Sequence, residues 1–178
     1  GDDVIFVDEF GTNLGMTRRY ARAFRGRRAV GRAPVNTDPH VTLTMGLSPS
    51  GIVAPIAFVG GQNGHTFEAY LRTQLAPLLR PGDVVVVDGL GAHRSDAARA
   101  AVERRGAKYL ILPPYLPDLT PVEEAGAKVK AFVRSIAPRS LHDLIDALGR
   151  GIEQVTQSDA LGWFQHRALY LFGCATPT

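Results

Sequence analysis

Four consecutive valines, Val84–Val87, run straight into an aspartate, Asp88. A row of β-branched residues with no polar alternation reads as a strand covered on both faces, and such strands lie inside sheets flanked by helices. An unpaired charge has no place in that interior. Asp88 therefore belongs at the C-terminal end of the strand, where open α/β sheets place their ligand sites. A second apolar run, Val4-Ile5-Phe6-Val7, also leads into an aspartate, Asp8, and the same argument puts Asp8 at a strand tip.

The rest of the chain supplies partners for these strands. The first strand covers about 4–9, and residues 10–37, rich in Gly and Arg, form a long loop or irregular hairpin. Residues 40–47 alternate and read as a strand, Ser48-Pro49-Ser50-Gly51 is a turn, and residues 52–59 return as a strand. Pro55 assigns that strand to an edge or a bulge. Residues 65–79 form a helix with Phe67, Tyr70, Leu71, Leu75 and Leu78 on one stripe. After the strand at 83–88 come a helix at 95–105 capped by Ser95, a strand at 107–112, and a proline-rich connector, Pro113–Pro121. Pro121 suits the first turn of a helix capped by Thr120 and running to about 136. Two more helices follow near 141–155 and 159–169, with Leu161, Trp163 and Phe164 as core contacts of the last. The order β-β-β-α-β-α-β-α-α-α specifies an α/β fold: a mixed five-stranded sheet, with an antiparallel meander of three strands plus two parallel strands, flanked by helices.

At 178 residues and 45% hydrophobic, the chain suits one domain, 1–178, with a sizeable core. No apolar run reaches the roughly 18 residues of a membrane span. The single cysteine, Cys174, excludes an internal disulfide and fits a reducing cytoplasm. Net charge is +3, yet Arg18, Arg19, Arg22, Arg25, Arg27, Arg28 and Arg32 crowd into fifteen positions with Tyr20 and Phe24 among them. Guanidinium groups fork onto phosphate oxygens, so this segment is a candidate contact for a polyanion. The five histidines lack zinc-site spacing. Gly89-Leu90-Gly91-Ala92-His93-Arg94 fails as a dinucleotide loop, because its sixth position is Arg and Asp88 would face the pyrophosphate.

The acids carry the chemistry. Glu123 follows Asp88 with 34 residues between them and stands at the start of the helix that leaves the proline connector. Carboxylates converging from strand tips and a helix start hold hard divalent cations for work on phosphodiesters. Three segments occur in order: Phe6-Val7-Asp8-Glu9-Phe10-Gly11, Val86-Val87-Asp88-Gly89-Leu90-Gly91-Ala92-His93, and Leu112-Pro113-Pro114-Tyr115-Leu116-Pro117-Asp118-Leu119-Thr120-Pro121-Val122-Glu123. Together they resemble the catalytic domain of mariner-superfamily transposases, in the bacterial insertion-sequence branch, over nearly the whole chain.

That resemblance implies a ribonuclease H-like fold and a catalytic, metal-binding triad of Asp8, Asp88 and Glu123, with two Mg²⁺ or Mn²⁺ ions. Gly89, His93 and Thr120 would stand behind the ligands. It implies cleavage at transposon ends and strand transfer into target DNA, double-stranded DNA as partner, a homodimer, no membrane, and a nucleoid-associated cytoplasmic location. Arg18, Arg19, Arg22, Arg25, Arg27 and Arg28 become candidate DNA contacts. The family's helix-turn-helix region is not among these residues, so the chain is expected to be a fragment or the second product of a split frame. The family usually has Asn where this chain has Gly89, Ser where it has Ala92, Asn where it has Thr120, and bulk near Ala125-Gly126-Ala127. These departures motivate an alternative: a catalytically decayed or repurposed DNA-binding or assembly module. A nuclease for RNA–DNA hybrids shares the fold but not the connector.

Overall fold

The structure is a computed structural model describing residues 3–18, 20–113 and 120–168. Arg19, the connector at 114–119 and Cys174 lie outside the described residues. The strands are β1 (Val4–Thr12), β2 (Val41–Ser48), β3 (Gly51–Val59), β4 (Val84–Val87) and β5 (Lys108–Ile111). They form one sheet in the order β3-β2-β1-β4-β5. β1, β2 and β3 are antiparallel neighbours, while β4 and β5 run parallel to β1. The mixed sheet and its meander are those expected from the sequence. β3 is an edge strand with a register shift opposite Thr44–Gly46 and a positive φ of 50° at Ala54, so Pro55 marks both an edge and a bulge.

Each face of the sheet carries its own core. Phe6 and Phe10 of β1, the odd-numbered residues of β2 from Val41 to Leu47, and Val86 pack under α3 (Pro121–Ile136), α4 (Leu141–Glu153) and α5 (Gln157–Trp163). Ile5, Val7, Val85 and Val87 pack under α1 (Gly64–Tyr70) and α2 (Asp96–Glu103). The valine run is apolar throughout because alternate members serve opposite cores. β2 is buried along its whole length, with Thr42 and Thr44 among its alternate residues; the Thr42 hydroxyl donates to the Gly60 carbonyl at 2.6 Å.

Three expectations need correction. Asp8 does not end its strand: β1 continues to Thr12, paired to β2 from Phe6 to Thr12 but to β4 only from Val4 to Phe6. Asp8 sits instead where β1 has parted from β4. Leu78 is 57% exposed and Leu79 is buried in its place. After Tyr70 the helix widens into a π turn, Leu71–Leu75, and then tightens into a 3₁₀ turn, Ala76–Leu78, so the phase of a regular helix is lost. Leu161 is 43% exposed, while Trp163 and Phe164 pack on the core.

Helix α3 lies close on β1. A Cβ at Gly126 would fall 2.2 Å from the Phe10 ring, so only glycine fits, and Phe10 fills the space a bulky residue would take. Gly126→Val is expected to cost about 1–3 kcal/mol, lowering the melting temperature by roughly 3–10 °C. Thermal unfolding checks this, and an unchanged midpoint would show that α3 can lift from the sheet.

Candidate active site

The pairing of β1 with β4 aligns Val4 with Val84, Ile5 with Val85 and Phe6 with Val86. Continued two residues beyond the last bonded pair, this register sets Asp8 opposite Asp88. Alternation turns both side chains to the face of Phe6 and Val86, the face covered by α3. Glu123 is the third residue of α3, and Thr120 occupies its cap position, its carbonyl accepting from the Glu123 N–H at 3.3 Å. A helix N-terminus favours a carboxylate there. All three acids line one cavity of about 430 Å³ together with Gly89, Leu90, Leu112, Pro113 and Thr120.

Burial raises the Asp8 carboxyl to a pKa of about 7; the Glu9 N–H, donating to its Oδ1 at 2.7 Å, pulls the other way, and the charges of Glu9, Asp88 and Glu123 push further up. At Asp88 burial also acts upwards, but His93 and the Leu90 N–H outweigh it and hold the carboxyl below its usual range. Both hydrogen bonds fall on Asp88 Oδ1, from His93 Nδ1 and from the Leu90 N–H at 3.1 Å. His93 is fully buried in a 3₁₀ turn, Gly91–Arg94. Burial would lower its pKa; the bonds to Asp88 and Glu9 raise it to about 9. Among the described residues, no three His, Cys, Asp or Glu side chains converge closely enough to hold one ion together. The acids surround a shared cavity without closing on a point.

A model of the "DDE superfamily endonuclease" family matches residues 3–145. The chain belongs to this family. No curated protein matches it in sequence. Among solved structures, it resembles the Mos1 strand transfer complex with a TM-score of 0.71 and 17% identity, covering 91% of this chain and 50% of that one. The Mos1 mariner paired end complex with Mn gives 0.70 and 16%, covering 91% and 51%. The isolated catalytic domain of Mos1 mariner transposase gives 0.59 and 14%, covering 91% and 75%. The chain thus spans about half the length of the first two, and the shared feature is the ribonuclease H-like fold.

Within this DDE endonuclease fold, the site residues expected from sequence divide into two groups. Asp8, Asp88, Glu123, Gly89 and Thr120 meet at the cavity, with His93 behind Asp88. Of the described arginines in the loop, Arg18 joins Arg32, Arg134 and Arg139 around a second cleft, whereas Arg22, Arg25, Arg27 and Arg28 are exposed and line neither. Two residues that sequence reasoning missed complete the surroundings. Lys130 and Arg134 line a hollow with Asp8, Glu123, Phe10 and Ala127, and Arg134 also borders the second cleft. The Lys130 ammonium lies 5.0 Å from the centre of the Phe10 ring. Its pKa is lowered by burial and by Arg134, against the opposing pull of Asp8 and Glu123. Glu123, Ala127, Lys130 and Arg134 follow helical spacing, a signal available in the sequence.

Asp8 yields a pH-dependent prediction. Its folded pKa of about 7 exceeds the unfolded value of 3.8, so between them the unfolded chain binds fewer protons and stability falls as pH rises. Asp8→Asn should therefore stabilise the metal-free protein at pH 8, by up to about 4 kcal/mol and roughly 10 °C, and by nothing below about pH 4. Melting curves across this window test it; equal midpoints at pH 8 would show that Asp8 is already ionised at no cost.

Proposed function

We propose that this chain is the catalytic domain of a DNA transposase of the mariner superfamily, in the insertion-sequence branch, cutting at transposon ends and transferring the freed strand to target DNA. The observation that carries the reading is the register of Asp8 with Asp88 across the gap between β1 and β4, with Glu123 facing the same cavity. Family membership and the Mos1 likeness support it.

Asp8, Asp88 and Glu123 would hold two Mg²⁺ or Mn²⁺ ions. The donor set fits: it is all oxygen, as hard cations require, and the charges of Asp88 and Glu123 add to the burial that raises Asp8. Bound there, the ions would activate a water or a DNA 3′-hydroxyl and stabilise the leaving oxygen. The chain's own contribution is positional. The Leu90 N–H and His93 fix one oxygen of Asp88, and the Glu9 N–H fixes one oxygen of Asp8. Lys130 and Arg134 continue from the acids along α3 towards Arg18 and Arg139, giving the phosphates of a bound strand a cationic path away from the site.

The Arg-rich segment after β1 extends this path or meets a second copy of the chain. It is irregular and open, with Tyr20 and Phe24 90% and 87% exposed. A homodimer acting on double-stranded DNA in the bacterial cytoplasm is the corresponding assembly. None of the described helices is long and apolar enough to cross a membrane.

Nicking of supercoiled plasmid tests the catalytic claim. With Mg²⁺ or Mn²⁺ the wild type should nick, and Asp8→Asn, Asp88→Asn and Glu123→Gln should each lower the rate at least about 100-fold while remaining folded. Metal-dependent nicking that survives all three substitutions would move the site elsewhere. The cationic path is tested by DNA binding: converting Arg18, Arg134 and Arg139 to alanine should flatten the slope of log affinity against log salt by about 2–3. An unaltered slope would place the DNA on another surface.

A further inference from the structure

Adjacent residues of β1 face opposite sides of the sheet. Asp8 turns to the α3 side, and Glu9 turns to the side of Ile5 and Val7, under α1. Sequence reading set Glu9 aside as a bystander. In the structure it lies within a chain of polar side chains across that second face. Thr44, directly opposite Glu9 on β2 and fully buried, donates its hydroxyl to Gln62 Oε1. Gln62 Nε2 donates to Glu9 Oε2 at 3.0 Å. The same Glu9 oxygen faces His93 Nε2 at 3.2 Å, and His93 Nδ1 bonds Asp88 Oδ1.

Each link has a defined sense. The Glu9 carboxylate only accepts, so the Gln62 amide turns its NH₂ to Glu9 and its oxygen to the Thr44 hydroxyl, which holds it there. Glu9, bonded from both sides, presents Oε2 to the imidazole. The ring is held in plane and position by Phe67, whose ring centre is 4.0 Å away, and by Tyr109, whose hydroxyl donates to the His93 carbonyl at 2.8 Å. With both ring nitrogens engaged by carboxylates, the imidazole has no freedom to turn. The orientation of Asp88 is then set from the far side of the sheet.

We propose that Thr44, Gln62 and Glu9 are positioning residues of the active site, acting through His93 to fix the Asp88 carboxylate by its Oδ1, which leaves its other oxygen to serve as a cation ligand. The proposal deepens the catalytic reading and rests on Asp88 being a metal ligand. Thr44 bonds Gln62 and Gln62 bonds Glu9, so the path from either residue to His93 runs through Glu9.

Two near-isosteric changes test it: Thr44→Val removes the hydroxyl, and Gln62→Leu removes the amide. Thr44→Ser, which keeps the hydroxyl, is the rescue. Mn²⁺ binding by calorimetry should weaken about 10-fold in the Val and Leu variants, in line with the usual effect of groups behind a ligand, and return in the Ser variant. In the metal-free protein, the His93 ring ¹⁵N–¹H signals should shift in the Val and Leu variants and not in the Ser variant. Thermal unfolding accompanies each measurement. Unshifted ring signals in both Val and Leu variants would overturn the proposal, as would Mn²⁺ losses that the Ser variant shares in proportion to its melting temperature. A wild type that binds no Mn²⁺ would instead defeat the catalytic reading, and the ring signals would still decide whether the chain of contacts reaches His93.

Discussion

The parting of β1 from β4 is the constraint on which the site depends. Parallel pairing holds the two strands in register through Phe6 and Val86 and then stops, while β1 stays bonded to β2 as far as Thr12. Had the ladder continued, residues 8 and 88 would be bonded neighbours deep in a sheet, where two ionised carboxylates side by side could not be kept. Ending the ladder two residues earlier preserves the alignment and opens a cavity between the strands. The valines of β4 and the apolar run of β1 anchor the register from below, so packing in both cores fixes where the two carboxylates emerge.

That arrangement gathers negative charge, and the surrounding residues balance it from two directions. Beneath the sheet, His93 is wedged between Asp88 and Glu9. Beside the acids, Lys130 gives up part of its hydration next to Asp8 and Glu123. Burial holds the Asp8 carboxyl well above the usual carboxylate range, while the bonds from His93 and the Leu90 N–H hold Asp88 below it.

The parts of this design that were legible in the sequence are those encoded locally. Alternation in β2, four valines in β4, Ser95 at a helix start and Pro121 at another each appear where their residues require. The place of Asp88 was legible because an acid following four valines falls where the strand ends. The position of Asp8 was misread because the end of a strand was inferred from composition, whereas what ends here is only one of its two pairings. Leu78 was misread because a π turn and Pro77 alter the helical phase, a change that no regular period reveals. Gln62 and Thr44 gave no signal at all: each is an ordinary polar residue locally, and their role arises from contacts with β1, more than thirty residues away in the chain.

The departures from the family pattern can be weighed on the same physical basis. Gly89 replaces a side chain that could have oriented the neighbouring Asp88, and by itself that would suggest a loosened site. Yet Asp88 Oδ1 receives a backbone N–H from Leu90, a donor that no substitution at 89 removes, and an imidazole whose other nitrogen is engaged by Glu9. Small residues, Ala125-Gly126-Ala127, stand where the family often has bulk, and at Gly126 the Phe10 ring lies where a side chain would go. At both positions the missing side chain is matched by a group supplied from elsewhere in the fold.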